Sequence, residues 1–261
     1  MRNGLFQRLI QLTGEEAAAA LERSRVIVVG LGGVGSWCAE ALVRSGVGNI
    51  SLVDADKVNS SNINRQVQAS TVTIGRYKAE VLKERLLDIN PSCAVGSFPL
   101  LFTRDTAELF DIPGADYVID AIDSLPHKLD LIEAAHGCGR LIFSSMGMAQ
   151  KLDPTLVRKA DIWETSGCPL ARLVRQGLRK RNFSGHFTAV YSPERYPNQE
   201  AVFPESGSGD ETDTVLTSPR KPIGSAVTVT AAAGLVLASL VLQDVCCRFS
   251  PGGSSPGRRY E

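Results

Sequence analysis

Apolar residues along this chain fall into short continuous runs that alternate with longer stretches of helical period. Residues 26–29, 117–119 and 141–143 are continuous apolar runs, as expected of strands buried on both faces, and residues 50–53, broken only by Ser51, read as a second strand ending at Asp54. Residues 33–45 and 75–89 have the helical period between them, with Ala79, Leu82, Leu86 and Ile89 on one face and Pro91 as the stop. A further helix is predicted after Pro126, another over residues 169–181, and a strand over 187–191. Strand and helix in alternation predict an α/β fold, a doubly wound and mostly parallel sheet, with an irregular carboxyl-terminal part. Thr13 followed by Glu16 is a capping box that predicts a helix through the alanine run to Leu21. The organisation expected is a helical arm over 1–24, a nucleotide-binding domain over 25–248 and a tail over 249–261. A mobile insertion rich in Ser, Gly, Pro and acids is expected at 199–222.

Composition narrows this only slightly. The 261 residues suit one large domain, and 28 basic residues balance 28 acidic ones, so net charge advertises neither nucleic acid nor membrane. Six cysteines without a CxxC pair read as free thiols in a reducing compartment, and the amino terminus has no signal-peptide pattern, so a cytoplasmic location is expected. Residues 223–243 carry no charge over about the length of a membrane span. Their Gly, Ala, Ser and Thr content favours a buried closing helix over a membrane-associated one.

The chemistry lies between Gly30 and Asp123. GLGGVG places Gly30, Gly32, Gly33 and Gly35 between a strand and a helix, where backbone N–H groups can receive a phosphate. Asp54, about twenty residues on, suits ribose hydroxyls. Those two features alone fit a nicotinamide or flavin enzyme. SNINRQ at 61–66 adds Asn62 and Arg65, and Lys78 opens the next helix. Two extra cations suit a triphosphate, whose oxygens gather charge as a phosphorus–oxygen bond breaks. DAID at 120–123 ends a strand at the carboxyl edge, placing Asp123 either to hold magnesium with its hard oxygens or to cap the helix before Pro126. Asp120 reads as structural. Arg172, Arg175 and Arg179 share a helical face, backed by Lys180, Arg181, Arg158 and Lys159, and could neutralise RNA phosphates or be a solvated face.

With these residues assembled, the chain resembles the ubiquitin-activating-enzyme-like superfamily, whose pattern matches at residues 30–35, Asp54, Asn62, Arg65, Lys78 and Asp123. Within it the chain is most similar to the tRNA threonylcarbamoyladenosine dehydratases. GGVGSW at 32–37, ALVRSGVG at 41–48, VIDAIDS at 118–124, KLDPT at 151–155, CPLAR at 168–172 and VYSPE at 190–194 carry that similarity. The resemblance implies ATP and Mg2+ as cofactors, catalysis by Arg8, Arg65, Lys78 and Asp123, and Asp123 as the metal ligand. It implies a tRNA substrate carrying threonylcarbamoyladenosine beside the anticodon, whose threonyl carboxylate is activated by ATP and then closes a ring with loss of water. It also implies a homodimer in which Arg8 of one subunit reaches the triphosphate of the other, and a sulfur-relay or cysteine desulfurase partner. The paired CxxC motifs that hold structural zinc in the sulfur-carrier activators are absent, so no structural zinc is expected. An adenylyltransferase acting on a ubiquitin-like sulfur carrier is the alternative, and it would give Cys168 a chemical role.

Overall fold

A computed structural model describes residues 4–195 and 224–249. The expected insertion at 199–222, and the expected tail apart from Phe249, lie outside the described residues. Two short helices come first, α1 (Gln7–Thr13) and α2 (Glu15–Arg23). Gly14, at φ 83°, separates them. Thr13 is therefore the last residue of α1 and not the cap of a longer helix. Its hydroxyl donates back to the Leu9 carbonyl at 3.0 Å, a bond that competes with capping.

There follow β1 (Arg25–Val29), α3 (Gly35–Arg44), β2 (Asn49–Val53), α4 (Lys78–Ile89), β3 (Ala94–Phe98), β4 (Tyr117–Asp120) and α5 (Leu125–Gly137). The chain continues through β5 (Leu141–Ser145), β6 (Arg158–Asp161), α6 (Pro169–Lys180), β7 (Thr188–Tyr191) and α7 (Val227–Cys247). The strands form one sheet of order β3-β2-β1-β4-β5-β7-β6, parallel except where β6 runs against β7. Helices α3, α4 and α7 cover one face with Val26, Val28, Ile50, Leu52 and Ile119 beneath them. The other face buries Ile27, Val29, Val118 and Ile142 against α5 and α6. That alternation along β1 and β4 is the reason both read as unbroken apolar runs.

The uncharged segment near the end is α7, long and apolar enough to cross a membrane by length and composition. Its Val229, Leu237, Leu240, Val241 and Val245 are buried in the core, while Val227 and Leu235 are exposed. Gly234 lets its backbone close on α3, since a Cβ there would meet the Val34 carbonyl oxygen at 2.5 Å. Its Asp244 is fully buried and accepts a 2.6 Å hydrogen bond from the Tyr117 hydroxyl.

Candidate active site

The carboxyl ends of β1, β2 and β4 meet at the strand-order reversal, the place where open α/β sheets bind ligands. The turn after β1 is shaped by glycine for distinct reasons. Gly30 sits at φ 88°, and a Cβ on it would lie 2.6 Å from the Ala121 carbonyl oxygen. On Gly35 a Cβ would lie 1.8 Å from the Gly30 carbonyl oxygen, so no side chain fits at the start of α3. Gly33 is hemmed in by the Thr230 hydroxyl and the Arg65 stem. Gly32 alone among the four faces open space, the side from which a phosphate can approach the backbone.

Asp54, at the end of β2, holds this turn. Its carboxylate accepts from the Leu31 N–H at 2.7 Å and from the Asp56 N–H at 2.8 Å. Burial pushes Asp54 above the ordinary carboxylate range, while Lys78 and the two N–H groups pull it back. Gln68 clamps the same turn from the other side, its amide donating to the Leu31 carbonyl at 2.9 Å. Asn62 is buried at the end of a 3-10 turn (Ser60–Asn62), where its side-chain oxygen accepts from the Asn59 N–H at 2.9 Å. That bond fixes the loop bearing Arg65. The Trp37 indole donates to the Arg65 carbonyl at 3.0 Å, which gives the tryptophan of GGVGSW a physical task. The Arg65 guanidinium donates to the Ser61 carbonyl and the Asn64 side chain at 2.9 and 3.0 Å, and both acceptors are neutral.

Lys78 opens α4 and is 6% exposed. Its ammonium donates to Asp56 at 2.7 Å and lies 3.9 Å from Asp54. Asp56, two residues beyond a recognised acid, escaped the sequence reading. Asp123 is exposed on the loop after β4. It does not cap α5, whose cap position is Ser124 without a side-chain bond. Beneath that loop is a second residue missed from sequence, Lys128. Its ammonium, fully buried, donates to Asp120 at 2.7 Å and to the Ser145 carbonyl at 3.0 Å. Asp120 also accepts from the Ser144 hydroxyl at 2.6 Å and the Ile122 N–H at 3.1 Å, so it fixes the approach to Asp123. No local pattern marks Lys128; only the fold brings it to Asp120.

Arg8 does not join this group within its own chain. Phe6 packs against Gly46, at the amino-terminal edge of the sheet, and Arg8 is exposed two residues further on. A strand of five residues, about 16 Å, separates that edge from the glycine turn. The basic helix face is also smaller than its sequence suggests. Arg175 is tied to the Thr165 carbonyl and hydroxyl, Arg179 lies over the Trp163 ring, and Arg181 bridges Asp130 and Glu133, both at 2.8 Å. Arg158, Arg172 and Lys180 remain exposed. Cys168 is buried at the cap position of α6.

The phrases KLDPT and VYSPE, far apart in sequence, meet beyond the carboxyl ends of β5 and β7. Glu194 accepts from the Leu152 N–H at 3.0 Å and the Asp153 N–H at 3.1 Å, and its carbonyl accepts from Lys151 at 2.8 Å. Comparison with known proteins agrees with the geometry. A tRNA threonylcarbamoyladenosine dehydratase of Bacillus subtilis is 39% identical over 92% of this chain and 94% of its own length. The crystal structure of the Escherichia coli tRNA N6-threonylcarbamoyladenosine dehydratase in complex with ATP superposes with a TM-score of 0.79, at 32% identity over 94% of both chains. A sulfur carrier protein adenylyltransferase of Thermus thermophilus is 36% identical, but over 54% of this chain and 52% of its own. The ThiF family model matches residues 6–248, nearly the whole described chain, and the protein is a member of that family.

Proposed function

We propose that this protein binds ATP over the glycine turn and uses it to dehydrate threonylcarbamoyladenosine beside the anticodon of tRNA. The observation that carries the nucleotide part is the gathering of Arg65 and Lys78 around a turn whose one open position is Gly32. The substrate assignment rests on similarity to dehydratases over more than nine-tenths of this chain, against about half for the sulfur-carrier adenylyltransferase.

In this reading the adenosine ribose meets Asp54 and the phosphates lie along the N–H groups at the start of α3. Arg65, bound at present to neutral acceptors, forks onto phosphate oxygens, and Lys78 leaves the exposed Asp56 to act as a compact charge. Asp123, an exposed carboxylate on hard oxygens, fits magnesium, which takes one or two carboxylates together with phosphate and water. When bound, that ion would neutralise charge on the phosphates. The threonyl carboxylate attacks the α- or γ-phosphorus of ATP, displacing pyrophosphate or ADP, and so exchanges a very poor leaving group for AMP or phosphate. The carbamoyl group of the same side chain then attacks the activated carbon and closes a five-membered ring. That step is intramolecular, so orientation suffices. Arg8 completes the site from a second subunit of a symmetric homodimer; its distance from the site of its own chain supports this arrangement.

Incubation with ATP, magnesium and tRNA carrying the modified nucleoside, followed by digestion and mass spectrometry, tests the reading. Loss of one water from the nucleoside is expected. An unchanged nucleoside in the presence of ATP-binding protein would refute it.

A further inference from the structure

Lys151 lies on the segment that follows β5 and is 6% exposed. Its ammonium carries three donors, and among the described residues one neutral group, the Glu194 carbonyl at 2.8 Å, accepts from it. The Glu194 carboxylate is close by but turned to the N–H groups of Leu152 and Asp153. A cation this deeply buried is costly unless an anion pairs with it. Burial holds Lys151 below the ordinary lysine range, while Cys168 and Glu194 pull it upward.

Its place in the fold says which anion would serve. The Gln150 N–H donates to the Gly224 carbonyl at 2.8 Å, and the Asn64 amide donates to the Ser225 carbonyl at 2.9 Å. Asn64 in turn accepts from Arg65 at 3.0 Å. The segment bearing Lys151 is thus linked by one backbone hydrogen bond, and through Gly224 and Ser225 by one from the Asn64 side chain, to the loop that presents the phosphate-binding arginine, yet Lys151 stands outside that set. The proposed reaction has to bring a carboxylate up to a triphosphate, two anions that repel. A cation beside the phosphate cluster, and not within it, meets that need.

We propose that the Lys151 ammonium pairs with the threonyl carboxylate of the modified adenosine and presents it to the nucleotide, an assignment that rests on the dehydratase reading above. Lys151 is then a substrate-binding residue that distinguishes the acid from uncharged forms of the same nucleoside.

The test uses the full-length protein and two synthetic anticodon stem–loops, one with threonylcarbamoyladenosine and one with its methylamide, bound without ATP. Wild type is expected to prefer the acid by roughly 10- to 100-fold, the range of a charge-assisted hydrogen bond. Lys151→Gln keeps a donor for the Glu194 carbonyl but lacks the charge; it should bind both stem–loops equally, with ATP affinity unchanged. Lys151→Arg should keep part of the preference, which a merely structural role would not predict. A wild-type preference retained in Lys151→Gln overturns the assignment, as does the absence of any preference in wild type. Failure of wild type to dehydrate intact modified tRNA is a separate readout, and it removes the dehydratase reading together with this one.

Discussion

Replacing Lys128 by methionine removes one partner of a fully buried ion pair and leaves the Asp120 carboxylate in the core. The carboxylate keeps the Ser144 hydroxyl at 2.6 Å and the Ile122 N–H at 3.1 Å, but among the described residues no other cation pairs with it to offset its burial. Breaking a buried pair from one side costs about 3–5 kcal/mol. For a domain of this size each kcal/mol lowers Tm by about 2–4 °C, so Lys128→Met should melt about 6–20 °C below wild type. The double variant Asp120→Asn with Lys128→Met removes both charges and keeps a side-chain oxygen for the Ile122 N–H. It should recover more than half of that loss, because neither state now contains an unpaired ion. Differential scanning calorimetry of wild type, both single variants and the double variant closes the cycle. The loop fixed by Asp120 abuts the glycine turn at Ala121, so calorimetric titration with ATP should show weaker binding in Lys128→Met and partial recovery in the double variant. A single variant that melts within about 2 °C of wild type, or a double variant no better than the single, would refute the reasoning.

Gly35→Ala should bind ATP at least about 100-fold more weakly in calorimetric titration, since its Cβ cannot share space with the Gly30 carbonyl and the turn must open. Subunits carrying Arg8→Ala, mixed with subunits carrying Asp123→Ala, should regain about a quarter of wild-type activity if sites are shared between chains, and none if each arm serves its own subunit. Glu40 supplies a pH test. Burial pushes its carboxyl up, but hydrogen bonds from Arg85 at 2.6 Å and Arg44 at 2.8 Å outweigh burial and hold it below the ordinary 4.5. A lowered folded value contributes stability above the unfolded value and loses it as pH falls through the folded one. Glu40→Gln should therefore melt lower than wild type at pH 7, and the gap should close in thermal melts taken below about pH 4.5.

The central strands and the glycine turn were legible from the chain because their signals are local. A strand covered on both faces needs an unbroken apolar run, and a backbone that closes on itself at Gly35 needs glycine. The edge strands were not. β3 reads AVGSF and β6 reads RKAD, and at the margin of the sheet neither must be apolar throughout. Thr13 carried the signature of a cap, yet Gly14 broke the helix one residue later and sent its hydroxyl back to Leu9.

For the site the same division holds. Gly30, Asp54, Arg65 and Lys78 could be picked out because phosphate and ribose demand particular residue types at short and regular spacings. The sequence by itself determined a doubly wound sheet, a nucleotide turn and membership of a recognisable superfamily. Only the tertiary structure decided that Asp56 holds Lys78, that Lys128 and Asp120 neutralise each other under the Asp123 loop, and that Lys151 meets Glu194. It also spent Arg175 and Arg181 on internal partners and set Arg8 at the far edge of its own chain. These charged side chains meet carboxylates, carbonyls or hydroxyls that no short spacing announces, eight residues away for Lys128 and Asp120 and 43 for Lys151 and Glu194, and a charge acts on whatever the fold places within a few ångströms of it.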